Sequence, residues 1–149
     1  MKDAARIYQD LYEEIRKMHN RLRWLGDRIH REDGQTSAKR SLLWSLYEEG
    51  EATVPQLAVE RLVSRQIIQT QVNLLLEEGL VTFIPNPRHK RSKLLALTTE
   101  GQRLVEKMRD RETGLLEEIG SPLSAHEVET TVTNLGTLRR HLENHTERI

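Results

Sequence analysis

The stretch SRQIIQTQVNLLLEEGLVTFIPNPRHKRSKLLALTTEG, Ser64 to Gly101, decides how this chain folds. Ser64 is a good helix N-cap and Gly79 a good helix stop, so the pattern predicts a helix over 64–78. Inside it Ile68, Val72 and Leu75 recur at helical spacing and mark an inward face. Gln66, Gln69, Thr70 and Asn73 recur on the other side. A stripe of amides and a hydroxyl without acids can donate to and accept from base edges in a DNA major groove. Two strands are predicted next, over 80–84 and 93–97. The loop between them carries Arg88, His89, Lys90 and Arg91, with Lys93 just beyond, and contains no acid. Pro85 and Pro87 sit in that loop, where their missing donors do no harm. A helix that reads bases followed by a cationic hairpin is the winged helix-turn-helix arrangement.

Upstream, Thr53-Val-Pro-Gln56 has the capping-box pattern with proline in the first turn. It predicts a short helix whose apolar side is Leu57, Ala58 and Leu62, and a tight connection to Ser64 completes the helix-turn-helix. Before it, residues 35–37 open a helix carrying Leu42, Leu43, Leu46 and Tyr47 and ended by Gly50. The first helix is predicted over 3–31. Its seam of Tyr8, Leu11, Ile15, Met18, Leu22, Leu25 and Ile29 advances by threes and fours. A seam of that length exceeds what one small core can cover and argues for burial against another helix, across a dimer. Downstream, a helix from near Thr98 carries Leu104, Met108, Leu115 and Ile119. A second capping box, Ser124-Ala-His-Glu127, starts a last helix with Val128, Val132, Leu135, Leu138 and Leu142. The expected fold class is therefore mainly α (α+β). A winged helix-turn-helix over 35–98 is flanked by an N-terminal dimerisation helix in 1–34 and C-terminal dimerisation helices in 99–149, as one compact unit.

The segments VSRQ (Val63 to Gln66), EEGLV (Glu77 to Val81) and NPRHKRSKLLALTTEG (Asn86 to Gly101) resemble the MarR family of bacterial transcriptional regulators. The resemblance is detailed from Ser37 to Gly101 and looser through the flanking helices. The family usually has Asp-x-Arg in its wing, where this chain has His89-Lys90-Arg91: the arginine is kept and the acid replaced. The resemblance implies a homodimer that binds a palindromic operator in double-stranded DNA, most often as a repressor. Ser64, Arg65, Gln66, Gln69, Thr70 and Asn73 would make the contacts of the reading helix. Arg88, His89, Lys90, Arg91 and Lys93 would make those of the wing, which also suits the negative potential of a narrow minor groove. The resemblance further implies a small aromatic or phenolic anion as effector, held between the dimerisation helices and the winged helix. His19, Arg23, Trp24 and Trp44 are the candidates for that cleft, with Arg23 or Arg28 as the anion's partner and plain packing as the competing role of both tryptophans.

Composition narrows the classes. The chain has 149 residues and no cysteine, which excludes disulfides, cysteine-ligated zinc fingers and thiol-based sensing. Mean hydropathy is −0.65, no apolar run is long enough for a bilayer, and the N-terminal MKDAARIYQDLYEE lacks the apolar region of a secretion signal. A cytoplasmic, membrane-free protein is expected. Net charge is zero, but between Arg61 and Thr98 six Lys/Arg face two acids, so a basic head is mounted on an acidic remainder. Among the histidines, His141 and His145 are spaced to share a metal on one helix, but no third ligand stands at a matching spacing, so no metal is expected. His19 and His30 could instead line an effector cavity. There is no phosphate-binding glycine loop, nucleophile elbow or HExxH motif, so neither an enzyme nor a cofactor is expected. The alternative is a winged-helix module for protein–protein assembly without DNA, and Gln66, Gln69 and Asn73 count against it.

Overall fold

The structure is a computed structural model and describes residues 4–146. In chain order the elements are α1 (Ala4–Ile29), a 3-10 turn (Arg31–Asp33), α2 (Ser37–Glu49), α3 (Val54–Glu60) and α4 (Arg65–Glu77). Strands β1 (Val81–Ile84) and β2 (Leu94–Leu97) follow, then α5 (Thr99–Ile119) and α6 (Ala125–Thr146). The chain forms two compact units, Met1–Gly114 and Leu115–Ile149, with the boundary inside α5.

The first unit is organised by its helix caps. Thr36 accepts from the Lys39 amide at 3.3 Å and starts α2. Thr53 and Gln56 form the reciprocal capping box, with Gln56 Oε1 accepting the Thr53 amide at 2.8 Å. Ser64 accepts from the Ile67 amide at 3.3 Å and starts α4. These caps turn Leu42, Leu43 and Leu46, Leu57 and Ala58, and Ile68, Val72 and Leu75 into one core. Leu80, Val81 and Leu95 of the hairpin and Val105 and Met108 of α5 close it.

One apolar residue departs from expectation. Leu62 does not join the α3 face: α3 stops at Glu60, and Leu62 lies in the turn at φ 53 with 88% of its surface exposed. The two helices are too closely joined for the chain to turn without a left-handed residue, and that turn lifts the side chain off the core. On α5 the buried line is Gly101, Val105 and Met108, whereas Leu104 is only half-buried and Ile119 is exposed.

The hairpin is antiparallel, pairing Val81 with Leu97 and Ile84 with Leu94, and Ala52 adds a bridge to Leu95. Its base is pinned to the start of α5. The Thr98 hydroxyl donates to Gly79 O at 2.6 Å and accepts from the Gly101 amide at 3.0 Å, and the Thr98 amide donates to Leu80 O at 3.1 Å. A Cβ on Gly101 would stand 2.0 Å from that same Leu80 oxygen, a backbone atom that cannot swing away.

The far end of α1 is tied to α5 by a buried ionic node. His30, fully buried, places Nδ1 at 3.1 Å from Asp33 Oδ2 and Nε2 at 2.7 Å from Glu112 Oε1. Arg111 Nη1 donates to Asp33 Oδ2 at 2.8 Å and to Ile29 O at 3.0 Å. Lys107 Nζ stands 3.4 Å from Asp33 Oδ1. A neutral ring has one N–H and satisfies one carboxylate; a ring that donates from both nitrogens satisfies both. Burial pushes the Asp33 carboxyl up, but the bond to His30 and the charges of Arg111 and Lys107 outweigh it and hold the group below the usual aspartate range.

The second unit contains the end of α5, a turn through Gly120 at φ 64, and α6. The Ser124–Glu127 capping box forms, with Glu127 Oε2 accepting the Ser124 amide at 2.9 Å. Val128, Val132, Leu135 and Leu142 lie exposed along α6. On α1, Tyr8, Met18 and Leu22 are likewise more than half exposed. The remaining members of the two expected stripes, Leu11, Ile15, Leu25 and Ile29 of α1 and Leu138 of α6, are partly buried.

Two stability outcomes are expected. Gly101→Ala should destabilise the fold by about 1–3 kcal/mol, the range for overpacking against atoms that cannot yield, read as a lower urea midpoint. Because Asp33 titrates below its unfolded value, its contribution is present above about pH 4 and lost as pH falls through the lower, folded value. Asp33→Asn should therefore be less stable than wild type at pH 7 and flatten the acid limb of a stability–pH curve. An acid limb unchanged by Asp33→Asn would show that the node does not stabilise the fold.

Candidate nucleic-acid interface

The inward face of α4 sets what its outer face can do. Ile68, Val72 and Leu75 are completely buried, which locks the helix's rotation. The exposed arc then divides lengthwise. Gln66, Gln69 and Asn73 occupy one side, Ile67 and Leu74 the other, and Thr70 runs between them. All six are exposed.

The amides are partly pre-organised. Gln69 Nε2 donates to Asn73 Oδ1 at 2.9 Å, leaving the Gln69 oxygen and the Asn73 NH2 outward. Together they offer an acceptor beside a donor, the complement of adenine N6 and N7. Thr70 differs from expectation: its hydroxyl donates to Gln66 O at 2.9 Å, so the helix itself uses its proton and the γ-methyl faces out. Ser64 serves first as the helix cap. Arg65 is exposed beside it.

The wing is closed by a residue that the sequence reading did not single out. Asn86 Nδ2 donates to Ser92 O at 2.8 Å across the loop, while its Oδ1 accepts from the Arg88 amide at 3.0 Å. Backbone bonds from His89 to Asn86 O and from Ser92 to His89 O complete the turn. The signal was present in Asn86-Pro87, because asparagine before proline favours an Asx turn. Asn86 thus braces the loop with its own side chain. Arg88, His89, Lys90, Arg91 and Lys93 are all exposed. Among the described residues none of these cations is held in an ion pair.

Two concavities join helix and wing. A cleft of about 270 Å³ is lined by Gln69 of α4, Val54 and Pro55 of α3, Phe83, Arg91 and Lys93. A larger one of about 700 Å³ lies between Thr53, Pro55 and Gln56 and the wing's Asn86, Arg88 and Arg91. Gln69 of α4 and the wing cations Arg91 and Lys93 therefore line one concave surface.

Of the two acids that follow the outer face of α4, Glu77 is exposed and Glu78 is held locally. Glu78 pairs with the buried Lys39 and accepts from Gln35 Nε2 at 2.7 Å. Burial pushes its carboxyl up, yet Lys39 and Gln35 hold it below the usual glutamate range. Arg61, counted above in the basic head, is turned away from it: its guanidinium donates to Ser41 O at 3.0 Å and to the Ser41 hydroxyl.

The four candidates for an effector cleft lie in different surroundings. Trp44 packs against the core. His19 and Arg23 are exposed on α1, and Trp24 is half exposed between Arg21 and Arg28, whose guanidinium carbons lie 5.7 and 5.5 Å from its ring centre. A groove of about 620 Å³ on α1 includes Lys17, Met18, Arg21 and Trp24. His30 lines no cavity, because it is the centre of the buried node. His141 and His145 lie 4.1 Å apart between ring centres, and His145 Nδ1 bonds His141 O at 2.8 Å. No helix among the described residues is long and apolar enough to cross a membrane.

Comparison with known proteins agrees with this fold. The sequence model of the MarR family matches residues 34–92. An uncharacterized protein of Mycobacterium tuberculosis is 34% identical over 109 residues, 73% of either chain. Staphylococcus aureus MarR, solved in complex with salicylate and kanamycin, superposes with a TM-score of 0.82 at 16% identity over 93% of this chain and 94% of that one. Streptococcus pneumoniae FabT, solved in complex with DNA, gives a TM-score of 0.73 at 18% identity over 92% and 98%.

Loosening the wing should be detectable without any ligand. Asn86→Ala removes both side-chain bonds, and the Arg88 amide loses its acceptor, so its exchange should accelerate by about tenfold, as for loss of one ordinary hydrogen bond. The thermal midpoint should move little, because the loop contributes nothing to the core.

Proposed function

The chain belongs to the MarR family, and on that premise we propose that it is a homodimeric, sequence-specific DNA-binding transcriptional regulator. It acts in the cytoplasm as a repressor and is released by a small aromatic or phenolic anion. The single observation that carries this reading is the cleft that Gln69 of the amide stripe shares with the wing cations Arg91 and Lys93. The amides supply base discrimination, at about 1–3 kcal/mol per good bidentate pair, and the wing supplies affinity through phosphates and the minor groove. That FabT was solved with DNA on a similar fold supports the assignment.

A second copy of the chain covers the apolar stripes of α1 and α6 and doubles the reading head, so the operator is a palindrome. The groove beside Trp24 is then completed by the partner, with Arg21, Arg23 or Arg28 as counter-charge for an anion. The salicylate in S. aureus MarR is of that chemical class.

Selection of bound duplexes from a random pool tests the whole reading. A palindromic consensus is expected, and recovery of no preferred sequence would overturn it. On the selected duplex, Arg91→Ala should weaken operator and random DNA alike and reduce the salt slope by roughly one unit. Gln66→Ala should instead relax preference at particular base pairs.

A further inference from the structure

The amides occupy only half of the exposed arc of α4. The other half is apolar: Ile67 is 48% exposed and Leu74 45% exposed, one and two turns along the same ridge. Thr70 stands between them with its hydroxyl proton directed to Gln66 O, so its γ-methyl continues the ridge. The core does not require these residues, because Ile68, Val72 and Leu75 already fill the inward face completely. A solvated helix face normally carries lysine and glutamate, and this ridge carries neither. Three side chains in single file are also too little for a protein-docking patch, which runs to hundreds of Å².

We infer that Ile67, the Thr70 methyl and Leu74 form an edge that reads the 5-methyl groups of thymine. The inference rests on the DNA-binding reading above and extends it to the opposite strand. In the major groove the thymine methyl is the one apolar group that distinguishes a base pair, and it lies beside the adenine edge that an amide recognises. On α4 the two requirements run in parallel on either side of Thr70: Gln69 with Asn73 for adenine, Ile67 with Leu74 for the methyl. An A·T pair is therefore read from both partners, and the half-site is A·T-rich where α4 enters. Cytosine offers the apolar ridge no methyl, and guanine offers the paired amides the wrong acceptor pattern.

The test begins with the duplex that the full-length wild-type protein selects from a random pool. Each thymine is replaced in turn by deoxyuridine, which keeps Watson–Crick pairing and lacks only the 5-methyl group. At one or more thymines per half-site the substitution should weaken wild-type binding by about fourfold, the equivalent of one buried CH2 group. In Ile67→Ala or Leu74→Ala the difference between thymine and uracil at that site should vanish, while the effect of mutating the paired adenine persists. The uracil scan on wild type requires no variant to fold. If a palindrome is selected but no uracil weakens binding, or if both variants keep the uracil effect, methyl reading is overturned while DNA recognition by α4 stands. If the pool yields no preferred sequence, the DNA-binding reading falls and takes this inference with it.

Discussion

The burial of Ile68, Val72 and Leu75 governs everything that α4 displays. Three fully buried side chains on successive turns leave a helix no freedom to roll, since a rotation of even one position would put an amide into the core. Burying an amide without a partner costs several times more than leaving it wet. The composition of the outer face, Gln66, Gln69 and Asn73 beside Ile67 and Leu74, is thus displayed at a set angle. A rigid display of this kind is what recognition needs, because a donor misplaced by an ångström contributes no discrimination.

Electrostatics follow the same economy. A chain of zero net charge presents a cationic surface where its acids lie elsewhere or are paired. Glu78, at the end of α4, is held by Lys39 and Gln35 of the neighbouring segment, and Asp33 by His30, Arg111 and Lys107. Arg61 is conversely withdrawn into contact with Ser41. The effective basic head is therefore smaller than the residue count suggests and is concentrated in the wing. Attraction to phosphate is correspondingly modest, and on the reading proposed above preference between sequences would depend on the outer face of α4.

The legible parts of the structure were those governed by local rules. The caps at Thr53, Ser64 and Ser124, the breaks at Gly50 and Gly79, and the inward faces of α2 and α4 need only neighbours in sequence, and each formed where the pattern placed it. The strands began one residue later than expected, at Val81 and Leu94, because pairing starts only where both chains can reach each other. What stayed hidden depends on residues far apart. That His30 is a buried cross-link to Glu112 could not be read from a helix terminus, since its partner lies 82 positions away. Leu62 looked like a core leucine by spacing, and the left-handed turn expelled it. Asn86 was visible as a turn residue, but its bond to Ser92 O depended on the full loop closure. Thr70 was read as a hydrogen-bonding residue, because its hydroxyl's preference for the Gln66 carbonyl is a choice of rotamer.

These long-range contacts form one continuous series inside the first unit. The end of α1 is tied through His30 and Asp33 to Arg111 and Glu112 of α5. The start of α5 is pressed so closely on Leu80 that only glycine fits at position 101, and Thr98 bonds both Gly79 and Leu80. Gly79 ends the reading helix and Leu80 leads into the wing strand. One helix thus joins the end of α1 to the base of the wing, held by an ionic cluster at one point and a backbone contact at the other. Packed elements of this kind shift as bodies, because side chains at crystal-like density have little room to absorb the movement singly. An occupant at Trp24, on the same helix as His30's anchor, would have to bind two positions of α1 with different affinity for that series to carry a signal. The arginines on either side of the indole supply the contacts by which such a difference can arise.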